Sequence, residues 1–387
     1  MKRSMILMAA GVCAAAAYRV LRPLKAHAWW SQTHEQITLF ALKRLEADKR
    51  HKLTAFYKPY SDELVRGSKA PDDEGDPDKG AGTHYYVAGD IRGRAAAAKG
   101  GYLKNRLGKY SKSARTSFEE NYTSALGLYK SGRTEQAMYV LGRALHFVED
   151  IAAVPHSAGI RYIESSNNVH YMFEKRASET SKKFSPNDFD KRLIKAYSED
   201  SFEAPLNKLA AESNRYAPQI SSLDDSAFDK AAKALVPLAA QNAAAVLIRF
   251  YDDINGENTG YLTHGGVYGI KNEYTGLYLT QTKKGAVLAK PDHSDEQRFT
   301  LIMNEIGAFD LKAADGNILA ADLKSFIKPS EGKNEGMLRA AALGKNRFRL
   351  TMGKGYSCTV SGKRRSPTLG ELVPGDSSQV WIIEKYK

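Results

Sequence analysis

The chain has 387 residues, 42 % of them hydrophobic and 26 % charged, a balance that excludes a disordered tail, a collagen and a multispan membrane protein. Its formal net charge of +13 is unevenly placed: residues 1–28 hold five basic and no acidic side chains, 29–259 hold 33 and 31, and 260–387 hold 19 and 13. The largest segment therefore has no basic field for a polyanion, and two cysteines, Cys13 and Cys358, exclude a disulfide framework and a thiolate metal site.

In chain order, Lys2 and Arg3 precede an apolar run, Met5 to Tyr18, too short to span a bilayer. That order predicts a secretory leader over residues 1–28, with Ala26-His27-Ala28 as the cleavage pattern and Trp29 as the new N-terminus. The product is then secreted, outside the cell or into a periplasm; an uncleaved anchor is the alternative.

Residues 29–254 read as a helical domain, because apolar residues recur at three- and four-residue spacing, as in Ile37-Leu39-Phe40-Leu42-Leu45. The clearest helix covers residues 137–153 and is ended by Pro155, and a final one covers 228–251. Between the early helices, the Asp-, Gly- and Pro-rich residues 67–82 read as irregular surface. Residues 255–265 form a linker, after which the pattern alternates.

Residues 266–387 repeat loosely three times. Gly266-Val-Tyr-Gly-Ile, Gly307-Ala-Phe-Asp-Leu and Gly355-Tyr-Ser-Cys-Thr-Val open the units, and Gly285, Gly336 and Gly370 sit midway. Gln297-Arg-Phe-Thr-Leu-Ile, Asn346-Arg-Phe-Arg-Leu and Gln379-Val-Trp-Ile-Ile close them. Such units resemble a β-trefoil of the ricin-B or fascin type, with an unrelated β-sandwich as the alternative. The expected fold class is thus an all-α helical domain followed by an all-β domain of β-trefoil type. Tyr268, Phe309 and Trp381 read as core aromatics rather than sugar platforms.

The chemistry concentrates on histidine. His146 and Asp150 are four apart on the strongest helix, and His170 and Glu174 are four apart on the next, so each pair leaves one helix face together. Imidazole nitrogen with carboxylate oxygen suits Zn²⁺. One such pair alone is commonly an ordinary helix-surface contact, but two of them joined by His156, just past Pro155, favour a metal.

Trp29-Trp-Ser-Gln-Thr-His34, Gly67-Ser-Lys-Ala-Pro-Asp72, His84, His146-Phe-Val-Glu-Asp150-Ile-Ala-Ala-Val-Pro-His156 and His170-Tyr-Met-Phe-Glu174 together resemble the bacterial zinc-dependent phospholipases C. The related S1/P1-type nucleases share much of this pattern, and the resemblance covers roughly residues 29–250. It implies an all-helical fold holding three zinc ions. It also implies that His146, Asp72, His84 and Asp150 ligate one ion. Asp150 then bridges to a second ion, held by His34 and by the amine and carbonyl oxygen of Trp29, and His156, His170 and Glu174 hold the third. Trp30 and Asp73 are the rivals of Trp29 and Asp72 should the register differ by one. Asp72 is the candidate to orient or deprotonate the attacking water.

Phospholipase and nuclease would use the same ions, so other features must separate them. The nearly neutral helical segment, Glu174 where the nucleases usually place Asp, and the appended β module favour a phospholipid membrane surface; the Trp29-to-His34 spacing favours a nuclease. A non-catalytic, lectin-like binding protein would require a degenerate ligand set, yet every position is filled. The β module, with its basic surplus, is expected to bind carbohydrate or an anionic ligand and to be separable from hydrolysis of soluble substrates. Nothing in the sequence calls for more than a monomer.

Overall fold

The computed structural model describes residues 30–47, 51–80, 82–88, 103–104, 109–184, 191–199, 201–256, 260–283, 285–321, 326–329, 338–353, 355–360 and 367–386. The leader with Cys13, and Trp29, lie outside the described residues. The helices are α1 Ser31–Ala47, α2 His51–Tyr57, α3 Ser61–Lys69, α4 Ala114–Lys130, α5 Thr134–Ala152, α6 Val154–Ser157, α7 Val169–Thr180, α8 Lys191–Tyr197, α9 Glu203–Asn214, α10 Ala217–Ile220 and α11 Asp225–Asn255. By length and hydropathy α11 could cross a membrane, but 78 % of its apolar window is buried inside the protein, which makes it a core helix. It packs on α1, α5 and α7.

Helix α5 is the centre of the helical part. From Ala137 to its end almost every side chain is buried, because α1, α3, α4, α9 and α11 all pack around it. Its contact with α3 is unusually close. A Cβ on Gly142 would lie 2.2 Å from the Leu64 carbonyl oxygen, and one on Gly67 would lie 2.0 Å from the Tyr139 carbonyl oxygen. The two glycines meet where no side chain fits, which brings the C-terminal end of α3 against the middle of α5. Residues 67–82 are accordingly not irregular surface: Gly67 and Ser68 are buried on α3, Ala70–Asp72 is a 3-10 turn, and Asp78 is buried.

Pro155 has no N–H and cannot continue the α5 ladder. The chain turns extended at Ala153 (φ −76°, ψ 123°) and restarts as the single turn α6.

The remaining strands are β1 Leu103–Lys104 with β2 Tyr110–Ser111, a separate pair, then β3 Val267–Asn272, β4 Tyr278–Thr282, β5 Gly285–Ala289, β6 Phe299–Met303, β7 Phe309–Ala313, β8 Ile318–Ala321, β9 Phe326–Pro329, β10 Leu338–Ala342, β11 Arg347–Met352, β12 Tyr356–Thr359, β13 Thr368–Glu371 and β14 Val380–Lys385. Antiparallel pairing runs β3-β6-β7-β10-β11-β14 and returns to β3, so these strands close a ring. The pairs β4-β5, β8-β9 and β12-β13 are hairpins attached to it.

The repeat read from sequence is displaced in its later units. Asn346-Arg-Phe-Arg-Leu runs into β11, the first strand of the third unit, rather than closing the second. Gly355 precedes β12, the second strand of that unit, and the closing strand of the second unit is β10. Tyr268, Phe309 and Trp381 are buried in the core, as is the free Cys358, whose thiol is pushed up by burial.

Helix α4 joins the two parts. Its polar sequence is buried from residue 114 to 128, because one face meets α5 and another meets β10. Each buried charge on it has a partner. Glu119 accepts from Arg115 at 2.7 Å and from Arg349 of β11 at 3.2 Å. Glu120 accepts from Lys112 and from Thr351 at 2.6 Å each. Asn121 donates to Asp78 at 3.1 Å.

Gly142→Ala is expected to destabilise the protein by at least ~1–3 kcal/mol, since the added methyl meets backbone rather than a flexible side-chain end. Denaturant unfolding of the metal-free protein measures this; an unchanged midpoint would show that α3 and α5 can separate freely.

Candidate metal centre

Six elements deliver the site. His34 comes from the first turn of α1, Asp72 from the 3-10 turn after α3, His84 from the following extended segment, His146 and Asp150 from α5, His156 from α6, and His170 and Glu174 from α7. The Asn168 side chain caps α7 by accepting from the Tyr171 N–H at 3.0 Å, which fixes the turn that carries His170. All five histidines, Asp150 and Glu174 are fully buried, whereas Asp72 is 9 % exposed. Asp73 is exposed, whereas Asp72 lies 3.8 Å from both His34 and His84 and is the aspartate that reaches the cluster.

The imidazoles share one design. The Nδ1 atoms of His146, His156 and His170 each lie against a backbone carbonyl: Ser68 at 2.8 Å, His84 at 2.8 Å and Ile160 at 2.6 Å. Each donates there, which leaves the Nε2 lone pair facing inward. For His34 the backing group is a carboxylate, with Nδ1 2.6 Å from Glu149 Oε2, and Thr38 Oγ1 donates to the other Glu149 oxygen at 2.8 Å. Inside the cluster, His146 Nε2 is 3.1 Å from His84 Nδ1 and 3.1 Å from Asp150 Oδ2. His34 Nε2 is 3.5 Å from Asp150 Oδ1 and 3.8 Å from Asp72. Glu174 Oε1 lies 3.3 Å from His156 Nε2 and 2.7 Å from His170 Nε2.

Among the described residues, three groups therefore present ligand atoms within 4.8 Å of one another: His34, His146 and Asp150; Asp72, His84 and His146; His156, His170 and Glu174. Within them, His34 Nε2, His84 Nε2, Asp150 Oδ1 and Glu174 Oε2 are buried without a hydrogen-bond partner. Buried polar atoms are ordinarily satisfied, so such a concentration of orphans around facing lone pairs suits bound cations. The nitrogen and oxygen donors suit zinc.

The electrostatics of the metal-free cluster agree. Burial pulls the His146 imidazole down, but Asp150 and Asp72 outweigh it and raise it to about 10. Burial pushes the Glu174 carboxyl up to about 8 and moves His34 and His156 downward. Asp150 is held well below the usual carboxylate range, with burial opposed by His146 and His156. Protons thus occupy places where a cation would otherwise balance the carboxylates.

All the histidine, aspartate and glutamate residues singled out from sequence come together here. Trp29 lies outside the described residues; its neighbour Trp30 packs against Tyr171 at a ring distance of 6.2 Å. Glu149 was not singled out, although it stands beside Asp150 in the same motif. Its signal was a second carboxylate at a buried helix position, where charge needs a partner. Tyr85, whose hydroxyl donates to the Ile160 carbonyl at 3.1 Å, packs over His156 and His170.

Residues 33–217 match the family model described as zinc dependent phospholipase C. Solved structures with similarity include an alpha-toxin of Clostridium perfringens from avian strain SWCP, 16 % identical over 92 % of this chain and 96 % of that one, with a TM-score of 0.49. An alpha-toxin of Clostridium absonum is 16 % identical over 88 % and 98 %, also at 0.49. A ricin B-like lectin of Macrolepiota procera, solved with lactose, is 18 % identical over 34 % of this chain and all of that one, at 0.28. No curated protein matches the chain.

Two outcomes are expected. Glu149→Gln can present an N–H to His34 Nδ1, which moves the ring proton to Nε2 and turns it into the cluster. Zinc affinity should fall ~10- to 100-fold by chelator competition, with circular dichroism unchanged; unaltered affinity would remove Glu149 from the site. Zinc uptake by metal-free protein displaces protons from His146 and Glu174, so apparent affinity should rise as pH increases from 7 towards 10, with proton release detectable in a weakly buffered indicator solution.

Proposed function

Residues 33–217 belong to the zinc-dependent phospholipase C family, and from that premise we propose that the chain is a secreted enzyme that hydrolyses the glycerol–phosphate ester of membrane phospholipids. The observation that carries the proposal is the inward Nε2 set of four backed histidines, gathered with Asp72, Asp150 and Glu174 around orphaned buried atoms. Neither the nuclease nor the non-catalytic reading is favoured by the family match.

The three groups support three zinc positions. Asp72, His84, His146 and Asp150 would hold one. Asp150 would also serve a second, with His34 and with the amine and carbonyl oxygen of Trp29 once the leader is cut. His156, His170 and Glu174 would hold the third. Zinc bound there supplies a Lewis acid for phosphoryl oxygens and lowers the pKa of water towards neutrality. Asp72 alone among the clustered ligands retains exposure, which suits its carboxylate to orient the attacking water and take its proton. The water oxygen attacks phosphorus, the bond to the glycerol oxygen breaks, and that oxygen leaves with a proton as diacylglycerol. The phosphorylated head group is the other product.

The closed ring with three hairpins supports a β-trefoil for residues 266–387, joined through the linker 255–265 to the helical domain 29–254. A surface ligand for that domain, a carbohydrate or an anionic head group, and a monomeric state complete the proposal.

Metal content by mass spectrometry, with phosphocholine release and nucleotide release from single-stranded DNA measured on the same sample, tests the function. About three zinc per chain with lipid hydrolysis alone is expected; nucleotide release would move the protein to the nuclease branch, and absence of zinc would overturn the enzyme reading. Asp150→Ala should empty two metal positions and abolish turnover, and full zinc content in that variant would sink the bridging role.

A further inference from the structure

Asp78 lies six residues after Asp72 and six before His84, at the middle of the segment whose ends both enter the cluster. It is buried, and both its oxygens are 2.9 Å from Arg339 Nη1 of β10. Arg143 Nη2 donates to the same carboxylate at 2.8 Å, and Asn121 at 3.1 Å. Arg143 also grips Asp76 at 2.6 and 2.8 Å, and it stands on α5 less than one turn before His146. Two aspartates and two arginines thus balance, but one of those arginines belongs to the β ring.

The backbone carries this anchor to the cluster. Asp78 N–H donates to Asp76 Oδ1 at 2.8 Å, and Thr83 Oγ1 donates to the Asp78 carbonyl at 2.5 Å, immediately before His84. Asp73 N–H closes the turn after Asp72 on the Ala70 carbonyl at 3.0 Å. Removing Arg339 would leave the buried Asp78 to share Arg143 with the half-buried Asp76, and an undercompensated buried charge is relieved by movement or water entry. Both forms of relief act on the segment that holds Asp72 and His84.

We propose that Arg339 is a positioning residue of the metal centre: through Asp78 it holds the 72–84 segment in the arrangement that brings Asp72 and His84 to His146. The β ring is then a structural part of the hydrolytic unit, and not a separable binding module. This rests on reading Asp72 and His84 as zinc ligands.

The same interface contains its own control. Arg349 donates to Glu119 at 3.2 Å and is equally buried, but Glu119 lies on α4 and not on the segment. Loss of either arginine should lower stability; only loss of Arg339 should reach the zinc.

The test uses full-length protein. Arg339→Met is expected to lose one zinc of its complement to chelator ~10-fold more readily than wild type, with kcat on p-nitrophenyl phosphocholine reduced and KM little changed. Arg339→Lys, which keeps the charge, should recover most of the affinity. The double variant Arg339→Met/Asp78→Asn removes the unpaired carboxylate and keeps the protein measurable should the single variant fold poorly; it should regain part of the zinc. Arg349→Met should lower the unfolding midpoint while leaving zinc affinity and kcat unchanged. The proposal is overturned if Arg339→Met and Arg349→Met lose stability alike and both keep wild-type zinc affinity and kcat. His84→Ala separates the two layers: full zinc retention in that variant would instead overturn the ligand reading beneath.

Discussion

The centre depends on a contact in which no side chain takes part. Gly67 and Gly142 let α3 and α5 approach until backbone meets backbone, and Ser68, the next residue, then offers its carbonyl to His146 Nδ1 at 2.8 Å. Four residues further on, Asp72 enters the cluster. A larger residue at either position would push the C-terminal end of α3 away from the middle of α5, and the backing of His146 and the approach of Asp72 would be lost together. Geometry that looks like a property of the ligands is therefore set one helix turn away from them.

Around that contact the protein buries an unusual density of ionisable groups. Interior charges are tolerated only when paired, hydrogen-bonded or bound to metal, and different regions here use different solutions. At the domain interface, arginine and lysine answer each carboxylate directly. In the cluster, among the described residues, the carboxylates face imidazoles rather than arginine or lysine, so compensation falls to protons or to cations. The distinction separates the ion pairs that hold the fold from a cluster whose donors suit a metal, and it follows from partner chemistry alone.

Much of this was legible in the sequence because it was local. The i, i+4 pairs on α5 and α7, the proline break before His156 and the apolar periodicity of the helices are all short-range signals, and they met in one place as expected. What was missed is what depends on distant partners. Residues 67–82 looked like solvated loop because Asp76 and Asp78 stand among glycines and prolines, while their arginines lie 65 to 261 positions away. The burial of helix α4 has no local signal for the same reason: its glutamates are buried against β11 and against Lys112. In the β part, the repeats read from strands of four to six residues have a displaced register, since an Asn/Gln-x-aromatic element begins both β11 and β14 and nothing local ranks them.

The closed ring also sets an order of events in biosynthesis. Strand β14 pairs with β11 on one side and with β3 on the other, Trp381 lying opposite both Phe348 and Asn272. Until Val380–Lys385 has been made, β3 and β11 present open edges, and open edges template pairing between molecules. Closure is thus a late step with a long sequence separation, slow compared with helix formation. A chain that loses only this last strand would keep every residue of the histidine–carboxylate cluster and yet be the form most prone to aggregate.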